Sequence, residues 1–190
     1  MKFLSAVFAT RAKRLPLVVL TAFAVGLGMA GEPYAETALQ REDRIKAALI
    51  FKLVKFIDWP AQALAGKDPL QICAFGTSAV GDALAVVDGR PARDRLAQFR
   101  RIGGLATADV KSCHVLFIPA GSREMVAGTV VPKSLGVLTI SDAPDFARRG
   151  GMIGLVRDEN KIGFEINLHT ARDAGLAPGA SLLELAIIVD

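Results

Sequence analysis

Residues 150–167 read GGMIGLVRDENKIGFEIN, and two incompatible structures are open to them. Paired glycines followed by a burst of charge suit a catalytic loop with a glycine-lined anion site. The periodicity favours the other reading. Ile162, Phe164 and Ile166 alternate with Gly163, Glu165 and Asn167, the period of two of a strand with one buried and one polar face. MIGLVR, at 152–157, has a similar length, and DENK between them supplies turn residues. The stretch is predicted to be a hairpin, entered through the glycines from a short helix over 142–149.

Upstream, the pattern changes to apolar runs separated by helical stretches. LQICAF, LAQFRRI, HVLFIP and LGVLTI read as strands, with helices expected over 78–87, near 107–111 and over 122–130. Short apolar runs between helices signal a sheet covered on both faces. Downstream, 168–175 reads as a helix closed by Gly175, and SLLELAIIV, after Pro178 and Gly179, reads as a terminal apolar helix. The predicted fold class is α/β: a single layered domain with a mainly parallel sheet flanked by helices and an antiparallel hairpin near the C-terminus.

ALQREDRIKAALIFKLVKFID, at 38–58, reads as a helix stopped by Trp59-Pro60, because the residue before proline is pushed out of the helical region. Ile45, Leu49, Ile50, Leu53, Val54, Phe56 and Ile57 occupy about half of the wheel and are expected to face the core. Phe51 falls among Lys52, Lys55 and Asp58 on the other side, where an apolar ring hints at a protein contact.

The first 30 residues carry Lys2, Arg11, Lys13 and Arg14, then LPLVVLTAFAVGLGMA. A basic region, a short apolar region and a small-x-small ending lay out a secretory signal over 1–30. A membrane anchor would need about 20 apolar residues. Four of the 23 basic residues lie in that segment, leaving 19 against 19 acidic in 31–190. A neutral domain lacks the basic footprint that nucleic acid requires. An exported chain folds where disulfides persist, so Cys73 and Cys113, the two cysteines, are candidates for pairing, with two buried thiols as the alternative.

The polar constellations assemble no site for bond chemistry. GTSAVGD, at 76–82, has phosphate-loop spacing, but Asp82 stands where a lysine is needed, and Ser78 is better explained as a helix cap. His114 and His169 belong to no metal-ligand spacing, and Cys113 and His114 are neighbours that would point to opposite faces. No nucleophile-elbow sequence occurs. The sequence therefore calls for no catalytic residue, no metal and no cofactor. Glu165 and Asn167 point the same way from one strand, and Arg172 on the next helix could reach them. They could anchor that helix, line a small-ligand pocket, or present a surface to a partner.

IKAALIFKLVKFIDWP, QICAFG, SCHVLFIP, GVLTISDAPDFARRGGMIGLV and KIGFEINLHTARDAGLAPGASLLELA, five blocks in order, resemble the YfiR family of exported regulators. The resemblance implies a single periplasmic domain over 31–190 that is not an enzyme. It would bind the periplasmic domain of an inner-membrane diguanylate cyclase and repress cyclic di-GMP synthesis. Release would come from an outer-membrane lipoprotein with a peptidoglycan-binding domain, and the regulator itself would be a homodimer. Cys73 and Cys113 match the positions of a family disulfide. A second pair found around the glycine block has no counterpart in ARRGGMIGL. The contact surface is expected on the hairpin and the residues after it, including Phe164, Glu165, Asn167 and Arg172, with Phe51 as a separate candidate. The alternative is a periplasmic small-ligand binder that uses the Glu165, Asn167 and Arg172 region as its pocket.

Overall fold

The chain enters the fold through a capping box. In the computed structural model, which describes residues 36–65, 69–122, 131–159 and 161–190, Thr37 accepts a hydrogen bond from the Gln40 amide, and Gln40 Oε1 accepts from the Thr37 amide. Two of the helix's orphan donors are thereby satisfied, and helix α1 runs over Ala38–Val54. Short helices come after it: α2 (Ala61–Leu64), α3 (Ala79–Leu84), α4 (Thr107–Val110), α5 (Leu168–Asp173) and α6 (Ala180–Leu183). The secretory signal read at 1–30 lies outside the described residues, as does all but Ser122 of the helix read over 122–130. Glu36–Asp190 forms one compact unit.

Helix α1 stops earlier than the sequence reading expects. Ile57 and Asp58 leave the helical pattern and form a short strand, β1, paired antiparallel with β9 (Ala177–Pro178). The face of α1 that packs inward is set by Ala47, Ile50, Leu53 and Val54, spaced as one side of a helix requires. Ile45 and Phe56, expected on that face, are exposed.

Among the described residues the main sheet has eight strands. In chain order they are β2 (Leu70–Phe75), β3 (Pro91–Ala92), β4 (Arg95–Ile102), β5 (Val115–Ile118), β6 (Leu138–Ser141), β7 (Ile153–Asp158), β8 (Lys161–Asn167) and β10 (Ile187–Val189). Their spatial order is β10-β8-β7-β6-β5-β2-β4-β3. The run from β4 through β2, β5 and β6 to β7 is parallel, as is β8 with β10, whereas β7–β8 and β3–β4 are antiparallel. The expected mainly parallel sheet with a late hairpin is the observed one.

Both faces are covered, as the apolar runs require. Ile72, Ala74, Val115, Phe117, Leu138 and Ile140 point to the side packed by α1 and α3. Cys73, Phe75, Leu116, Ile118 and Ile102 point to the other side, against Val110, Cys113 and Val137. There Cys73 and Cys113 are joined in a disulfide. The Ser78 hydroxyl accepts from the Gly81 amide at the start of α3, which is the capping role read for it.

Two segments depart from expectation. Residues 142–149 form turns and no helix, because Asp145 has φ 57°, a left-handed conformation that a right-handed helix cannot contain. SLLELAIIV does not continue as a helix: α6 ends at Leu183, and Ile187–Val189 becomes β10, which adds to β8. A run this apolar suits either element by pattern alone, and the free edge of β8 captured it.

Candidate functional site

The hairpin positions the residues the sequence singled out. Asp158 pairs with Lys161, and Glu159, with φ 47°, helps turn the chain between β7 and β8. Along β8 the expected alternation is present but both sides are covered: Phe164 is 5 % exposed, Glu165 7 % and Asn167 5 %. The cover on the polar side is the turn segment after β6.

That segment is tied down by the polar pair itself. Arg148 donates from Nε at 3.1 Å and from Nη2 at 2.6 Å to Glu165 Oε1. Asn167 Nδ2 donates to the Ala147 carbonyl at 3.0 Å, while Asn167 Oδ1 accepts from the Thr170 amide at 2.8 Å and caps α5. Thr139 Oγ1 accepts from the Met152 amide. Glu165 and Asn167 therefore anchor a loop and a helix. From the sequence, the partner surface is expected to include Phe164, Glu165 and Asn167, and the small-ligand pocket to use Glu165, Asn167 and Arg172; in the free chain Phe164, Glu165 and Asn167 are all buried. Arg172 is exposed, and the guanidinium that meets Glu165 is that of Arg148. Nothing in the spacing of the sequence marked Arg148, since it lies in a segment without a period.

Replacing Arg148 with alanine leaves a buried carboxylate without its donor. The expected cost is about 1–3 kcal/mol, read as a lower urea midpoint. An unchanged midpoint would show that the ion pair does not hold the loop.

Phe51 occupies an intermediate position. Its ring packs partly against the core cluster, and Lys55 Nζ lies over it, 4.6 Å from the centroid. Part of α1's polar flank is bound to the body of the domain. Lys46 Nζ contacts Glu42 and Asp142, each at 3.1 Å, and Glu42 also accepts from Arg157 at 2.6 Å. Burial pushes the Lys46 ammonium down, but the hydrogen bonds and charges of Asp142 and Glu42 outweigh it and hold the group above its ordinary 10.5. A raised pKa in the folded state means stability that is complete below 10.5 and lost as pH climbs through the folded value. Alkaline unfolding of the wild type should thus steepen above about pH 10.5, and Lys46→Met should flatten that limb. Identical alkaline limbs in the two proteins would refute this.

The exposed apolar side chains lie elsewhere. Leu185 is 73 % exposed, Ile187 51 % and Ile188 52 %, all at or next to β10. Among the described residues this strand pairs on one side only, with β8, and forms an edge of the sheet. An apolar edge strand presents unpaired backbone donors and acceptors beside hydrophobic side chains, the combination that recruits another chain. Reading the C-terminal run as a helix concealed it. Among the described residues, no helix is long and apolar enough to cross a membrane, and no three or more His, Cys, Asp or Glu side chains gather as a metal group would.

A model of the YfiR/HmsC-like family matches residues 43–187. The chain belongs to the YfiR/HmsC-like family. Of the solved structures, a conserved domain protein from Vibrio cholerae O1 biovar El Tor is similar at 15 % identity, with a TM-score of 0.50 over 78 % of this chain. The chain spans 60 % of that protein's length, and the likeness is one of fold. No curated protein matches. Membership of the YfiR/HmsC-like family points to regulation of cyclic di-GMP signalling, and the match ends at Ile187, the first residue of β10.

Proposed function

We propose that this chain is a periplasmic repressor that binds the periplasmic domain of an inner-membrane diguanylate cyclase and lowers cyclic di-GMP synthesis. The observation that carries the reading is the family match over residues 43–187. The β10 edge with Leu185, Ile187 and Ile188 is the proposed contact surface, with Phe51 on α1 and Arg172 on α5 as separate candidates. The repressor acts as a homodimer and is released by an outer-membrane, peptidoglycan-binding lipoprotein.

Such a regulator needs no bond chemistry. It shifts the cyclase between states only by the difference in its affinity for them, and about 3 kcal/mol of differential contact changes output more than a hundredfold. Edge-strand addition suits this task, because backbone hydrogen bonds supply affinity and alternate side chains supply selectivity.

Deleting the gene should raise cyclic di-GMP, and the wild-type chain should restore it. The double variant Ile187→Asp/Ile188→Asp, present at wild-type level by immunoblot, should fail to restore it and should no longer recover a membrane cyclase on pull-down. Unchanged cyclic di-GMP on deletion removes the repressor reading. Full restoration by the double variant removes β10 as its surface.

A further inference from the structure

Helix α1 turns a line of cations to the solvent. Arg41, Arg44, Ala48, Lys52 and Lys55, the last at the helical C-cap, are all exposed. They follow one another at spacings of three and four, which places them in one stripe down the outer face of the helix. From 41 to 55 the stripe is about 21 Å long, at about 1.5 Å per residue.

Most of that charge is uncompensated. Arg44 is bonded to Glu36. Glu42, on the flank of the helix, is engaged by Lys46 and Arg157, and Asp43, at about 100° per residue, falls on the inward side. Arg41, Lys52 and Lys55 form no ion pair among the described residues, and the Lys55 ammonium rests over the Phe51 ring. Basic and acidic residues balance at 19 each over 31–190, so the positive field belongs to this side and not to the domain as a whole.

Apolar side chains border the cations. Ile45, 46 % exposed, lies along one margin of the stripe, and the half-buried Phe51 along the other. Cations bordered by apolar groups along one helix are the pattern that settles at the boundary between water and lipid. A single helix is also convex, and a convex basic surface meets a flat array of headgroups more fully than it can enclose a small molecule.

From these features we infer that the outer face of α1 docks on a membrane surface rich in anionic phospholipid, with headgroup phosphates beside Arg41, Lys52 and Lys55 and with Ile45 at the edge of the acyl region. The inference stands on α1 alone and does not depend on the cyclase reading. Because α1 packs on one face of the sheet, docking through its outer side leaves the β10 edge uncovered. A protein held this way searches for partners within the plane of the membrane.

Cosedimentation with vesicles tests the docking, using residues 31–190, which contain the compact unit Glu36–Asp190 and lack the apolar run at 15–30 that would bind lipid by itself. Phosphatidylcholine vesicles with about 40 % phosphatidylglycerol should carry the protein down at low salt, and about 0.5 M salt should release it. Vesicles of phosphatidylcholine alone should bind at least about tenfold more weakly. Each cation beside an anionic surface is worth about fivefold in partition, so Arg41→Gln/Lys52→Gln should bind about 25-fold more weakly while keeping the wild-type urea midpoint. Arg100→Gln/Lys111→Gln removes two charges from the other side of the sheet, where Ile102 and Val110 pack, and should bind as the wild type does. The indole of Ile45→Trp should be quenched by brominated acyl chains more strongly than the native Trp59, which locates the face without any charge variant. Equal losses from the two double variants, or no added quenching in Ile45→Trp, overturn the α1 face. Failure of the anionic vesicles to carry the protein down overturns membrane docking and leaves the stripe to an acidic protein surface.

Discussion

Replacing Phe117 with alanine is expected to lower the unfolding free energy by about 3–5 kcal/mol. Phe117 lies in β5, which is flanked by β2 and β6, and its register neighbours are Ala74 and Ile140. It heads the fully buried side chains by volume and belongs to the cluster that includes Ile50 and Val54 of α1. Truncation removes the transfer energy of the ring and leaves a cavity in the middle of a sheet, where flanking strands cannot close in. Thermal denaturation should show a loss of roughly 10 °C. A loss smaller than that of Arg148→Ala would mean that the interior relaxes into the space and that the sheet is softer than its register implies.

The second large effect is expected from the cysteines. The Cys73–Cys113 bridge closes a separation of 40 residues, and both residues are buried on the face opposite α1. In the chain-entropy account, a cross-link of this length stabilises by roughly 3–4 kcal/mol through restriction of the unfolded chain. Cys73→Ala/Cys113→Ala should unfold at correspondingly lower urea concentration. A thiol reductant, given time to reach the buried bond, should bring the wild type down to the variant and leave the variant unaffected. If reductant and substitution both leave the midpoint in place, the bridge contributes nothing and the apolar packing of β2 on β5 suffices.

Much of this architecture could be read from local pattern. Apolar runs such as LQICAF and HVLFIP announce covered parallel strands because no alternation is needed when neither face meets water. The caps at Ser78 and Gly175 were legible because each is a local necessity of backbone hydrogen bonding. Contacts distant in sequence decided the rest. Ile57 and Asp58 fit a helix by composition, but their backbone is claimed by Ala177 and Pro178. Ile187 to Val189 fit a helix as well, until the edge of β8 offers them partners.

The candidate site was the least legible part for the same reason. Alternation along β8 shows that Glu165 and Asn167 share a polar side, but not whether water or protein faces that side. Arg148 and Ala147 meet them from a segment of turns, and turns leave no periodic trace. The apolar edge at Ile187 and Ile188 was hidden in an otherwise uniform run.

The ribbon of β1 with β9 joins the end of the first helix to a strand near the last residues of the chain. Contacts so far apart in sequence form late, because a long loop must close before they gain anything. A polypeptide delivered N-terminus first would complete this ribbon only when its final segment arrives. Its vulnerable interval is thus set by transit time, and holding by a chaperone would protect it most while the final strands are still awaited.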